Sequence, residues 1–118
     1  MRENYRDGGG FEEAAAYSRA VRAGNLVVVS GTAAASAREA IKRALDAAAQ
    51  LGARREDVIR TRLLLAPGAD WRAAAEAHRE AFAGVDPANT TYFVGGLIPE
   101  DAVVEFELDA VVPESPPR

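Results

Sequence analysis

Val-Val-Glu-Phe-Glu-Leu-Asp-Ala-Val-Val, at residues 103–112, is the stretch that decides the fold of this chain. Side chains alternate across a β-strand, so Glu105, Glu107 and Asp109 share one face while the apolar residues between them share the other. The stretch is rich in β-branched and aromatic residues, which favours an inner strand over an exposed edge. Carboxylates on an inner strand need partners.

Candidate partners lie in residues 58–65, Val-Ile-Arg-Thr-Arg-Leu-Leu-Leu. Arg60 and Arg62 are two residues apart and therefore point to the same side of a strand. If the two strands are neighbours, two guanidinium groups face the row of carboxylates, an arrangement that cross-strand pairing favours. We predict a sheet with one apolar face under helices and one charged face. Because 118 residues are too few to cover both faces, we expect other copies of the chain to close the charged one.

Length and composition limit the possible classes of protein. One domain is expected over residues 1–118, because this length supports a single core. The net charge of −4 argues against nucleic-acid binding. With no cysteine and one histidine, thiolate and histidine-rich metal sites are excluded within one chain, and we expect no metal or cofactor. No apolar run approaches the ~20 residues that span a bilayer, so we expect a cytoplasmic protein with no membrane partner.

The N-terminal third predicts a polar segment followed by a hairpin. Residues 1–10 are polar and end in three glycines, which predicts a flexible segment. The following Glu12-Glu13 and three alanines allow a short helical turn, although we favour a loop. Two β-prone runs, residues 17–21 and 26–31, are joined by a Gly-Asn turn signal. Three consecutive valines in the second run predict a strand buried on both sides.

Two helices follow, each with start and stop signals. Ser36 and Glu39 form a capping box for a helix over residues 36–51. Asp70 caps a second helix that runs to about residue 83 before Gly84. The histidine, His78, lies on or beside its buried stripe, and we favour a structural role because no nucleophile is near it in sequence. The remaining predicted segments are a strand at residues 90–94 and a loose tail at 113–118.

The order β-β-α-β-α-β-β predicts an α/β, or more closely α+β, two-layer sandwich in which both helices cover one face of the sheet. Four motifs resemble the RidA/YjgF family of reactive-intermediate deaminases. They are YSRAVRAGNLVVVSGT at residues 17–32, GARREDVIRT at 52–61, PANTT at 87–91 and VEFELDAV at 104–111. The resemblance implies the family's chorismate-mutase-like fold with a mixed sheet, and a homotrimer with ligand clefts between subunits.

The resemblance also implies a reaction and a set of site residues. Its best-known members hydrolyse 2-imino and 2-enamino acids to 2-keto acids and ammonia. By motif position, Tyr17 and Ser30 line the cleft, Gly31 offers backbone contacts, Thr91 lies on the adjacent strand, and Glu105 orients or activates water.

Two departures from the family pattern point to a non-standard substrate. The family arginine that binds the substrate carboxylate is Asn89 in this chain. A charge-assisted arginine contact contributes about 1.5–3 kcal/mol and a neutral amide bond about 0.5–1.5 kcal/mol, so an anionic imino acid is captured roughly tenfold less well. Arg62 or an arginine of a neighbouring chain is a candidate to compensate. The connection at residues 32–36 is also shorter than is usual in the family, which reshapes the cleft rim.

Two functions of different kinds remain open. One is a small-molecule enzyme, either a RidA-like hydrolase or a relative recruited to a biosynthetic pathway, that acts on an imine, enamine or carbonyl intermediate. In it Glu105 is the general base or acid, and Tyr17, Ser30 and Asn89 are hydrogen-bond donors. The other is a non-catalytic trimer that binds a metabolite or partner. For Glu105, a structural ion pair with Arg60 or Arg62 is weighed equally with the catalytic role. For Tyr17, a structural role as a core aromatic is weighed equally with a role in the site. A ribonuclease is disfavoured because the chain is acidic and lacks a basic, aromatic groove.

Overall fold

The computed structural model describes residues 1–114, so residues 115–118 of the predicted tail lie outside it. The strands are β1 Arg2–Tyr5, β2 Ala20–Ala23, β3 Leu26–Ala34, β4 Val58–Leu65, β5 Ala88–Phe93 and β6 Val104–Val111. The helices are α1 Phe11–Ala15, α2 Ala37–Gln50 and α3 Trp71–Phe82, with a 3₁₀ turn at Arg55–Asp57.

The predicted inner position of the acidic strand is confirmed. The six strands form one sheet in the order β1-β2-β3-β6-β4-β5, so β6 lies between β3 and β4. It pairs antiparallel with both, while β5 runs parallel to β4. The register places Arg62 opposite Glu107 and Arg60 opposite Asp109, and Arg62 Nη1 donates to Glu107 Oε1 at 2.9 Å. The strand with the arginines therefore neutralises part of the acidic face, as predicted.

Helices α2 and α3 bury the apolar face of the sheet, which confirms the two-layer sandwich. Ser36 Oγ accepts from Glu39 N at the start of α2, and Asp70 Oδ1 accepts from two backbone N–H groups at the start of α3. Both helices contribute alanine-rich faces to a core that includes Phe106 and Leu108 of β6, each with 0% exposure. Burying one such large apolar side chain contributes about 1.5–3 kcal/mol.

The opposite face of the sheet is left open within one chain. Glu105, Glu107 and Asp109 are only half-buried there. Val28, which pairs with Asp109, is 36% exposed, whereas its neighbours Val27 and Val29 are buried. The prediction of a β3 buried on both sides is thus wrong for the single chain, because this chain places no helix over the second face. An uncovered face that mixes apolar and charged side chains is typical of an interface.

The N-terminal segment is more ordered than the sequence predicts. Residues 2–5 form the edge strand β1 by pairing with β2, which corrects the expectation of a flexible segment at these positions. The loop favoured after residue 10 is also wrong, since residues 11–15 form α1. The carboxylate of Glu12, 3% exposed, accepts from the backbone N–H groups of Gly8 and Arg19 and so ties α1 to the segments on both sides of it. Such a buried acceptor cannot be recognised from a polar sequence.

Candidate functional site

Four of the seven candidate site residues meet at a cavity beside the interruption of β3. This cavity, which we call the bulge pocket, has a volume of about 550 Å³, a size suited to a small molecule. It lies between α1, β3, β6 and the loop before β6. Four residues predicted from the sequence line it: Tyr17, Ser30, Gly31 and Glu105. The rest of the lining includes the charged residues Asp7, Glu12, Arg19 and Arg43 and the apolar residues Phe11 and Ile98.

A β-bulge in β3 places Gly31 against Glu105. The β3–β6 register shifts between Val29 and Thr32, so Ser30 and Gly31 together oppose one residue of β6. A Cβ atom at Gly31 would lie 2.6 Å from Glu105 Oε1 and 2.7 Å from its carboxyl carbon. Only a glycine leaves room for the carboxylate there, since real Cβ contacts are longer. The glycine in the bulge therefore leaves the space that the Glu105 carboxylate occupies.

Ser30 and Tyr17 hold different positions at the pocket. Ser30 Oγ donates to the Ser18 carbonyl at 2.6 Å, so its single proton is used to tie the bulge to the neighbouring segment. In this arrangement the hydroxyl offers a ligand only its lone pairs. Tyr17 is 37% exposed, and the Arg19 guanidinium lies 6.0 Å from its ring centroid. Tyr17 thus keeps a solvent-accessible position at the pocket.

Asn89 and Thr91 lie on β5, away from the bulge pocket of the same chain. Register with β4 puts both on the helix-facing side of the sheet. Asn89 Nδ2 donates to Thr61 Oγ1 at 3.1 Å, and Thr91 Oγ1 donates to Asn89 Oδ1 at 2.9 Å. Arg62 is on the open face and engaged by Glu107. A single chain therefore brings Tyr17, Ser30, Gly31 and Glu105 together and leaves the other three candidates apart.

The pocket also contains residues that the sequence reasoning missed. Arg19 and Arg43 place two guanidinium groups in its wall, and Phe11 and Ile98 place apolar side chains there. Arg19 carries a usable signal, because it is two residues from Tyr17 and thus on the same side of an extended segment. The contribution of Arg43 from α2 depends on helix packing and has no such signal.

In residues 1–114, no cluster of three or more His, Asp or Glu side chains could hold a metal ion. The same part of the chain has no helix with the length and apolar character needed to cross a membrane.

Comparison with known proteins assigns the family. The family model described as endoribonuclease L-PSP matches residues 10–112. The chain belongs to this family. A crystal structure of a Mycobacterium tuberculosis member of the YjgF/YER057c/UK114 family is 40% identical with a TM-score of 0.88, covering 95% of this chain and 100% of that chain. The predicted resemblance to the RidA/YjgF family is confirmed.

Two further relatives of this YjgF-family chain are informative. An uncharacterized protein of Streptomyces coelicolor is 35% identical over 116 residues, covering 87% of each chain. The crystal structure of TdcF from E. coli, solved with bound serine, is 21% identical with a TM-score of 0.70 and covers 80% of this chain and 87% of that chain. At 21% identity, this similarity shows only that the two proteins share a fold. Proteins of the family are typically homotrimers that bind small molecules.

A line of hydrogen bonds connects Asn89 to His78 through the buried hydroxyl of Thr61. His78 Nε2 lies 2.7 Å from Thr61 Oγ1, which also accepts from Asn89. All these bonds are satisfied when Thr61 donates its proton to an unprotonated Nε2. Burial lowers the pKa of His78 from its ordinary value of 6.5, which favours this neutral form.

This environment predicts a pH-dependent stability. Below pH 6.5, and down to the lowered pKa of folded His78, the unfolded chain binds a proton that the folded chain does not. The free energy of unfolding should therefore fall as the pH falls through this window. His78→Gln should flatten the dependence there, as measured by urea unfolding of both proteins between about pH 5 and 8. A constant difference between the two proteins at every pH would contradict the prediction.

Proposed function

We propose that this YjgF-family protein is a small-molecule enzyme that hydrolyses an imine or enamine, or performs related acid/base chemistry on a carbonyl intermediate. The observation that carries the proposal is the Glu105 carboxylate, which lies beside Gly31 in a pocket that also contains Tyr17. A carboxylate in a pocket of small-molecule size is suited to general acid/base catalysis. By motif resemblance Asn89 takes the position of the family's carboxylate-binding arginine, so the proposal includes a non-standard substrate such as a biosynthetic intermediate.

Glu105 acts first as base and then as acid. Water attacks the imine carbon while one of its protons passes through Glu105 to the imine nitrogen, which gives a carbinolamine. Glu105 then takes the proton of the new hydroxyl group and gives it to the amine nitrogen. The carbon–nitrogen bond breaks as the carbon–oxygen double bond forms, leaving a carbonyl compound and ammonia. The Tyr17 hydroxyl donates a hydrogen bond to the charge that develops on the substrate. Ser30 stabilises the bulge through its bond to the Ser18 carbonyl, and the Gly31 backbone contacts the substrate. Such proton transfer contributes about 10²–10⁴-fold to rate.

A homotrimer completes the site in this proposal. The open sheet face forms the interface together with the edge strand β5, all of whose residues are exposed in the single chain. Through this edge, Asn89 and Thr91 of one chain complete the bulge pocket of the next. Their hydrogen bonds to each other fix the orientation of the Asn89 amide, which then pairs with a carbonyl or amide of the substrate. Serine bound to E. coli TdcF supports a ligand of amino-acid size.

Val28→Glu should dissociate this trimer, because the new carboxylate lies opposite Asp109 on the open face. We expect sedimentation to show a trimer for the unaltered protein and smaller species for the variant. Trp71→Glu is the matched control, since Trp71 is 48% exposed on α3 in the other layer. A monomeric unaltered protein would remove the basis for a site shared between chains.

The direct test of function follows imine decay. An amino-acid oxidase generates 2-imino acids and an amine oxidase generates imines without a carboxylate, and ammonia release is measured with and without the protein. We expect acceleration for at least one class. No acceleration for either class would favour the second candidate, a non-catalytic trimer that binds a metabolite or partner. This candidate is favoured by the asparagine at residue 89, the position where the motif resemblance places the family arginine.

A further inference from the structure

Three hydrogen bonds connect the surface of β5 to His78, and all of them run in the same direction. Thr91 Oγ1 donates to Asn89 Oδ1 at 2.9 Å, and Asn89 Nδ2 donates to Thr61 Oγ1 at 3.1 Å. Thr61 Oγ1 lies 2.7 Å from His78 Nε2 and donates to it when that nitrogen carries no proton. We call these four side chains the amide network.

The inner and outer members of the amide network differ in burial. Thr61 on β4 has 0% exposure, whereas Asn89 and Thr91 are exposed on β5. A buried hydroxyl is nearly always paired, so Thr61 uses its proton and its lone pair within the network. An amide group has two N–H donors and two acceptor lone pairs, and the network uses one of each. Asn89 therefore keeps one donor and one acceptor for a ligand.

The same four side chains allow the opposite direction. When His78 Nε2 carries a proton, it donates to Thr61 Oγ1, and the proton of Thr61 then needs another acceptor. Asn89 Oδ1 becomes that acceptor when the amide turns over, and Asn89 Nδ2 then donates to Thr91 Oγ1. The two ends of an amide have nearly the same shape, so hydrogen bonds decide between the arrangements. The proton on Nε2 thus selects one of two states.

The surroundings of His78 favour the direction seen in the structure. The ring lines a cavity of about 370 Å³ whose charged side chains are Arg79 and Asp86. Strands β4 and β6 face the ring with Thr61 and Phe106, neither of which carries a charge. Burial lowers the pKa of His78, so its neutral form is favoured near pH 7.

We propose that His78, acting through Thr61, sets which end of the Asn89 amide is offered to a ligand. His78 and Thr61 are then positioning residues, and Asn89 is the residue that contacts the substrate. This inference rests on the proposed function, in which Asn89 pairs with a carbonyl or amide of the substrate. When the network reverses, the free donor and the free acceptor of Asn89 exchange places. A substrate group that matches one state is therefore mismatched in the other.

The test follows the orientation of the Asn89 amide by NMR. The chain has one histidine and three asparagines, so the ring and side-chain amide signals are few. At about pH 7.5 we expect the tautomer of His78 with the proton on Nδ1, and Asn89 amide protons with stronger nuclear Overhauser effects to residue 61 than to Thr91. This ratio should reverse as His78 is protonated, with the same midpoint. Asn4, which donates to Ser18, is the internal control.

Substitutions at residue 61 separate positioning from a general structural effect. Thr61→Val keeps the shape but removes the hydroxyl, so His78 should still titrate while Asn89 no longer follows it. Thr61→Ser restores the hydroxyl and should restore the coupling. Where imine hydrolysis is measured, Thr61→Val should raise KM about twofold to tenfold with little change in kcat, and Thr61→Ser should reverse this increase.

The outcomes separate this inference from the proposed function. An Asn89 amide that does not respond to protonation of His78, or responds equally in Thr61→Val, overturns the inference whether or not imines are hydrolysed. Coupling that is lost in Thr61→Val and kept in Thr61→Ser supports it, and in a protein that hydrolyses no imine only the proposed function then fails.

Two further comparisons decide the inference if protein stability limits the first test. If Thr61→Val does not fold, His78→Gln replaces it: loss of the pH response of Asn89 supports the inference, and an unchanged response overturns it. If the protein unfolds before His78 is protonated, the spectra at about pH 7.5 decide. A proton on Nε2 overturns the inference, and a proton on Nδ1 with the Asn89 amide protons beside residue 61 supports it.

Discussion

Replacing Glu105 with glutamine should lower the rate of imine hydrolysis by about 10²–10⁴-fold. Glutamine has nearly the same shape as glutamate, but its amide cannot accept and return a proton at neutral pH. The Gly31 contact should therefore be kept while the chemistry is lost. The rate is measured as ammonia release at saturating substrate, so that the change appears in kcat.

The matched control for Glu105 is Glu107, which lies on the same face of β6 but pairs with Arg62. Glu107→Gln removes that ion pair between side chains that are about one-third exposed, so we expect only a small change in stability. Hydrolysis by Glu105→Gln at the unaltered rate would exclude Glu105 as the base. It would leave the alternative of a structural carboxylate.

Gly31→Ala should reduce activity by about 10²-fold, because a misplacement of the reacting group by 1 Å has an effect of this size. The added Cβ would lie 2.6 Å from Glu105 Oε1, so the carboxylate has to move out of its position. The side chain of Glu105 is long enough to rotate away, and we therefore expect the fold to be kept. Thermal unfolding and kcat are measured together.

Gly95→Ala provides the control for this substitution. A Cβ at Gly95 meets no heavy atom within 4 Å, so the added methyl group should leave both activity and unfolding temperature unchanged. Full activity in Gly31→Ala would show that the position of the Glu105 carboxylate over the bulge is not required for catalysis.

The long periodic elements could be read from the sequence, and the short contact-dependent ones could not. Strand β4 was predicted with its observed bounds, and the predicted helices agree with α2 and α3 to within two residues. Their side-chain periods and caps are local signals that survive in the fold. The edge strand β1 was missed, because its polar residues gain regular structure only by pairing with β2.

The candidate site likewise has features that the sequence predicts and features that depend on tertiary contacts. The acidic face and its neighbouring arginines follow from a two-residue period and from one favourable pairing of strands. The sequence by itself therefore determined the inner acidic strand, the helical layer and the charged character of the opposite face. Only the tertiary structure decided that Glu105 lies over Gly31, that Arg62 is taken by Glu107, and that Thr61 connects Asn89 to His78. Those contacts depend on a β-bulge and on strands far apart in the chain, and a local pattern of residues cannot specify the distance between atoms that meet only after folding.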